Sequence, residues 1–470
     1  MSIPTCTTKS LVLVGGGHAH LQVIKAMKTR PTDLFVTLVD PQKCASYSGM
    51  VPGCVSGLYT QAQTKINLEP LANYAGVTFV NAKVASADLD GCKLLLDNDS
   101  ELVYDVVSFD IGSATRGHDE VKGAGEFTIP TRPISELVTR IEEAERGIGV
   151  DDDVEVVVVG GGAAGIELAF AIKARWGKER TGKTRVEILD SNNVLFPGES
   201  ESCRGAVVKE LSKRGIKVTH GAVVKEVREG EVELVDGRRV SFTHSIWATG
   251  ATCHGELTTK LKDSGLEIDK RGWIKVDAKF RSVSHANVFA AGDCCTIVDD
   301  RFKAPPKAGV YAVRAGPILI DNLVRAVGGG GEELVEYSPQ ADFLKLLMLG
   351  DGSAIGFRFG ESISGPWVWE LKDMIDVGFM DLFDVETIGG EEVEGDVKKD
   401  YDEHENEKEM DARKAAEEID ATTAGREMRR VDREVDVLVN WHILKRMMKE
   451  EGSDWFCEAR RVWAGKGVNE

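Results

Sequence analysis

No apolar run in the 470-residue sequence reaches the length of a bilayer-spanning helix, so a transmembrane segment is not expected. No CxxC pair or zinc-like ligand spacing occurs either. The nine cysteines are scattered, with only Cys294 and Cys295 adjacent, which argues against a disulfide-exchange centre or a zinc module. The opening residues, MSIPTCTTKS, carry neither a basic, apolar signal pattern nor an Arg-rich transit pattern. The expected setting is therefore a reducing compartment, most simply the cytoplasm. Positive charge is short as well. A net charge of −19 argues against nucleic acid as a partner and against broad electrostatic attraction to an anionic membrane. The imbalance is local: residues 386–436 hold 19 acidic and 9 basic side chains, about half of the excess, and are expected to be an exposed helix or disordered. Apolar segments at 435–448 and 455–463 are able to dock back onto the fold.

What is present is the balance of a globular protein, 42% hydrophobic and 29% charged, long enough for two or three domains. The chain is organised around residues 11–20, LVLVGGGHAH. The uncharged run predicts a buried parallel strand, the glycines a tight turn, and residues 21–27 a helix. Strand, glycine turn and helix open a dinucleotide-binding unit, in which N–H groups at the helix start face a pyrophosphate. Gly15 permits the turn and Gly17 lets phosphates approach, while the third glycine position holds His20. A second strand predicted at 35–39 ends in Asp40, placed to take ribose hydroxyls. An ordinary glycine-rich loop is the alternative at this point.

The same pattern then returns in complete form. Residues 154–159 predict a strand, Gly160, Gly162 and Gly165 satisfy GxGxxG, a helix follows at 166–174, and the strand at 186–189 ends in Asp190. Two such units are far more specific than one. Asp190 is followed by Ser191 and Asn192 instead of arginine, which favours NADH over NADPH because a carboxylate repels a 2′-phosphate. Other strands are predicted at 77–80, 103–111, 246–250 and 288–293, and a small-residue helix at 304–323. Between the first two strands and the third lies a Gly-, Ser- and Pro-rich loop containing Cys44 and Cys54, either a redox pair or two incidental thiols. A glycine run at 328–331 marks a boundary, followed by a compact apolar and aromatic module to about 383.

With these residues in view the chain resembles the FAD-dependent pyridine nucleotide-disulfide oxidoreductases. More narrowly it is similar to the NADH dehydrogenase-like flavoproteins fused to, or associated with, selenide, water dikinase, and more distantly to type II NADH dehydrogenases and apoptosis-inducing-factor-like reductases. The resemblance rests on GGGHAHLQV at 15–23, YSGMVPG at 47–53, FDIGS at 109–113, VVGGGAAGIELA at 158–169, ATGA at 248–251, AAGD at 290–293, PKAGVYAVRAGP at 306–317 and GPWVWELKDMIDVGFM at 365–380. His20 is shared with the narrower group. The disulfide pair of the glutathione-reductase branch and the dikinase domain are both missing, so selenophosphate synthesis is not implied.

The resemblance implies an α/β fold with two nested Rossmann-like dinucleotide-binding domains and a C-terminal interface module. FAD would occupy residues 1–130 and 252–330, NADH residues 131–251, and the module residues 331–385, with the acidic tail at 386–470. Gly15, Gly17, His18 and Ala19 would lie on the FAD pyrophosphate, Asp40 on its ribose, Val84 near the adenine, Asp293 on the ribityl chain and Ala308 near the isoalloxazine. Gly160, Gly162, Ala164, Gly165, Glu167, Asp190 and Gly250 would serve NADH, with an exposed helix glutamate as the alternative for Glu167. Lys307 would stabilise the reduced ring, or simply form a salt bridge. The implied activity is hydride transfer from NADH through FAD to a small-molecule acceptor, with a quinone favoured; the alternative is a slow redox sensor whose tail recruits a basic partner. The aromatic module is expected as core or as a homodimer interface, with peripheral membrane contact as the alternative.

Overall fold

The computed structural model describes residues 9–29, 33–178, 180–328, 333–340 and 342–389; the acidic tail beyond them, with its apolar segments, lies outside the described residues. Two five-stranded parallel sheets dominate. The first runs in the order Val288–Ala290, Val106–Phe109, Lys9–Val14, Leu34–Val39, Thr78–Val80. The second runs Ile129–Pro130, His244–Trp247, Val154–Val159, Thr184–Leu189, Ile216–Thr219. Strands covered on both faces have no use for polar alternation. Leu11 to Val14 are accordingly apolar and at most 3% exposed. In each sheet the third strand counted from the glycine-turn strand is followed by a three-stranded antiparallel flap: residues 84–103 in the first and 224–241 in the second.

Register puts the strand ends level. Val14 pairs with Val39 and Phe109, and Phe109 with Ala290, so Gly15, Asp40, Asp110 and Ala291 all emerge on one edge. In the second sheet Val159 pairs with Leu189 and Trp247, which brings out Gly160, Asp190 and Ala248 together. Ligands of open α/β sheets bind beyond this carboxyl edge.

Several elements differ from expectation. The strand predicted at 103–111 divides, because Val103 closes the flap strand Glu101–Val103 and the chain turns at Tyr104 before Val106–Phe109. The helix predicted from 304 begins at Gly309, since Pro305 and Pro306 leave no N–H groups to enter a helix there. Residues 345–365 form an antiparallel sheet of Lys345–Met348, Ala354–Arg358 and Glu361–Gly365, running directly into the helix Pro366–Asp381 with proline at its first position. The module's aromatic side chains are spent largely inside the fold: Phe379 stacks on Tyr47 at 4.5 Å, and Trp369 tilts against Tyr59 at 5.6 Å. No helix among the described residues is long and apolar enough to cross a membrane.

One interlock joins the two helices that approach the cavity from the first sheet. The helix Gly309–Gly328 contains Pro317, which cannot donate to the carbonyl of Val313 one turn earlier. Gln22, on the helix His18–Ala26, supplies that bond through Nε2 at 2.7 Å. Gly316 makes the room, because a Cβ there would stand 2.4 Å from Gln22 Nε2. Replacing Gln22 with alanine strands the carbonyl and should cost about 1–3 kcal/mol in urea denaturation. Pro317→Ala restores an N–H donor, so it should recover much of that loss in the Gln22→Ala background; strictly additive effects of the two changes would contradict the interlock.

Candidate active site at the carboxyl edge of the two sheets

A cavity of about 780 Å³ lies beyond the carboxyl ends of both sheets. Gly17, His18, Asp40, Asp293, Lys307 and Ala308 line its first-sheet side, and Ala164, Glu167 and Gly250 its second-sheet side. The turns beneath are tight. Gly15 has φ +91°, and a Cβ there would meet the Asp110 carbonyl oxygen at 2.4 Å; Gly160 has φ +122°, with the Ala248 oxygen at 2.2 Å. A Cβ on Gly165 would sit 2.0 Å from the Gly160 oxygen, so it serves close packing of helix on strand. Gly162 faces open space and starts the helix Ala163–Trp176 with no side-chain cap and no acid in its first turn. The helix His18–Ala26 has neither feature as well. Both helix starts are thus suited to an anion.

The two strand-end acids differ. Asp40 accepts the N–H of Gly16 through Oδ2 and of Gln42 through Oδ1, each at 2.7 Å, and burial still holds its carboxyl above the usual range. Asp190 accepts from the backbone and side-chain amides of Asn192 through Oδ1, at 3.1 and 2.9 Å. Its Oδ2 is buried and without a hydrogen-bond partner among the described residues, with His220 Nδ1 3.9 Å away. An orphaned carboxylate oxygen at this point fits a ribose diol.

Lys307 reaches the cavity wall with its ammonium on the Cys295 carbonyl and 4.5 Å above the Trp273 ring. Asp293 accepts from Arg132 at 3.0 Å and from Ser113 at 2.9 Å, which ties the linker between the sheets to the first of them. Arg132 lies between Pro130 and Pro133, and no local pattern in the sequence marks it as part of the site. Val84 is buried in the flap and Ala19 beneath its helix start; neither lines the cavity.

Glu167 lines the cavity, accepting the N–H of Met348 at 3.0 Å. Burial pushes its carboxyl up to about 7, opposed by Lys372 and the Met348 N–H and reinforced by Asp376. Lys372 is itself buried, donating to Asp376 at 2.5 Å and to the Gly49 carbonyl at 2.7 Å, and Tyr47 donates to Asp376 at 3.2 Å. Sequence reasoning missed the Lys372–Asp376 pair; its i, i+4 spacing was the available signal. Cys44 and Cys54 are free thiols, Cys44 donating to Asn67, and burial pushes Cys54 upward. Cys295 is pushed up to about 12, which makes it inert.

The family model for pyridine nucleotide-disulphide oxidoreductases matches residues 9–316. The chain belongs to the pyridine nucleotide-disulphide oxidoreductase family. Among relatives of this oxidoreductase is the type II NADH:quinone oxidoreductase of Staphylococcus aureus (strain bovine RF122 / ET3-1), 25% identical over 393 residues, spanning 78% of this chain and 94% of the relative. Among solved structures, NDH2 of Plasmodium falciparum in complex with NADH aligns with a TM-score of 0.66 at 14% identity, over 82% of this chain and 98% of that one. The sulfide:quinone oxidoreductase of Aquifex aeolicus aligns at 0.64 and 17%, over 78% and 90%. These likenesses establish the shared fold.

The orphaned oxygen of Asp190 leads to a definite expectation for this oxidoreductase. Asp190→Asn should lower kcat/KM for NADH by roughly 10–100-fold, the loss of a charged hydrogen bond, while narrowing its preference over NADPH. An unchanged NADH to NADPH ratio in steady-state assays would contradict the assignment.

Proposed function

We propose that the protein is an FAD-dependent NADH oxidoreductase that delivers electrons to a quinone. The observation that carries this reading is the single cavity shared by two glycine turns, with a carboxyl near neutrality on its wall. In this reading residues 1–130 and 252–330 hold FAD, residues 131–251 hold NADH, and residues 331–385 close the cavity. The quinone comes from the named relatives in Staphylococcus aureus and Aquifex aeolicus.

FAD, when bound, supplies the two-electron chemistry, taking a hydride from the nicotinamide and passing electrons onward. The chain's own part is placement and protons. The two helix starts, neither capped by its own N-cap side chain, hold pyrophosphates, Asp40 and Asp190 fix riboses, and the Arg132–Asp293–Ser113 group holds the first sheet against the linker. Gly17, His18, Lys307 and Ala308 form the wall on the first-sheet side, with the Lys307 cation balancing negative charge on a reduced ring, Ala164 and Gly250 form the wall on the second-sheet side, and Gly162 opens the second helix start. Quinone reduction consumes two protons. Glu167 is the group fitted to donate one, because its raised value keeps it protonated up to about pH 7.

Sign matters here: a donor must be protonated, so the quinone-dependent rate should fall as pH rises through about 7. Glu167→Gln should lower kcat with a soluble quinone by about 10²-fold or more and remove that limb of the pH profile. Wild-type rates and an unchanged profile in this variant would remove Glu167 from the mechanism.

A further inference from the structure

Asp110 stands at the end of the strand Val106–Phe109, 3% exposed, directly under the first glycine turn. Its Oδ2 accepts the backbone N–H of Ala19 at 2.9 Å and of His20 at 3.1 Å. These are two of the donors that the start of the helix His18–Ala26 would offer a pyrophosphate. The neighbouring N–H groups are also engaged: Gly15 with the Val39 carbonyl, Gly16 with Asp40, and Gly17 with the Asp110 carbonyl. The carboxylate fits its place closely, since a Cβ on Gly17 would lie 2.2 Å from it and one on Gly292 2.3 Å from Oδ1. An acid from another strand therefore caps this helix, which has no cap of its own.

Among the described residues no cation pairs with it. From the helix, His18 and His20 face the site; burial lowers both, and His20 is held at about 4 with Nδ1 on the Gly15 carbonyl and Nε2 on Ser108. From the adjoining strand ends, Asp40 and Asp293 add negative charge, and Cys294 is a neutral thiol. Burial, reinforced by Asp293 and Asp40 and opposed by the two N–H bonds, pushes the Asp110 carboxyl up to about 7. A pyrophosphate arriving at the same helix end adds two more charges.

We propose that Asp110 is a positioning residue that holds the helix start in the pyrophosphate's place, and that binding of FAD is coupled to uptake of a proton by Asp110. The inference rests on the assignment of FAD to the first glycine turn. Its balance is simple: the carboxylate and one solvent proton become a carboxylic acid, which relieves the repulsion between this side chain and the phosphates. Below the carboxyl's own value the proton is already present and affinity is independent of pH. Above it, affinity falls as pH rises, by up to about tenfold per unit.

The test uses full-length protein stripped of flavin and titrated with FAD between pH 6 and 8.5, following flavin fluorescence, with proton uptake read by an indicator dye in weak buffer. The wild type should bind several-fold more weakly at pH 8.5 than at 6.5 and take up about one proton per FAD at pH 8. Asp110→Asn retains an acceptor for the helix and lacks the charge, so it should bind more tightly than wild type at pH 8.5, with a flat profile. A pH-independent wild-type affinity without proton uptake overturns the proposal even if the variant fails to fold. Weaker binding by a folded variant at pH 8.5 overturns it as well. Failure of the wild type to take up FAD at any pH refutes the FAD assignment itself, and the proposal with it.

Discussion

The alignment of strand ends is the constraint from which the rest follows. Parallel strands in register stop at one level, so each sheet has a single edge where backbone turns away and side chains meet. Gly15 and Asp40 leave the first sheet there, and Gly160 and Asp190 the second. Because both edges open on one cavity of about 780 Å³, two nucleotides can be brought face to face without a mobile carrier between them. The similar flap after the third strand counted from each glycine-turn strand places this duplication on the scale of the whole unit, not only of its glycine motif.

The cost of this design is burial of charge. Glu167 and Asp110 both sit at about 7, well above ordinary carboxyl groups, because low-polarity surroundings penalise their ionised forms more than the available N–H bonds favour them. Their neighbourhoods differ. Glu167 has a buried ammonium, Lys372, near it, whereas the described groups facing Asp110 are the acids Asp40 and Asp293 and histidines held neutral by burial. Two carboxyls of similar acidity are thereby suited to different tasks, one exchanging protons in the cavity and one lying beneath a helix start.

Sequence alone revealed those parts of the fold whose causes are local. A largely apolar strand, a glycine turn, a helix and an acid 25 to 30 residues after the first glycine are a contiguous signal, and both units carry it. Strand boundaries slipped where a second signal overlapped: Val103 extends the apolar pattern of the next strand but pairs with Lys93 in the flap. Much of the site was illegible because its partners are far apart in the chain. Arg132 meets Asp293 across 161 positions, Lys372 meets Gly49 across 323, and Asp110 meets Ala19 across 91. No spacing rule records such meetings. Lys307 was legible as a candidate, but its engagement with the Cys295 carbonyl and Trp273 depends on a packing that residue order does not show.

In the proposed function one cavity passes electrons from NADH to a quinone through a bound flavin. The most direct test is to follow the flavin's visible absorbance in purified holoprotein while NADH is added without oxygen, and then to admit a soluble quinone. The account predicts prompt bleaching by about one equivalent of NADH and full recovery of colour on addition of the quinone. A flavin that NADH leaves yellow, or that stays bleached when the quinone is present, would contradict it.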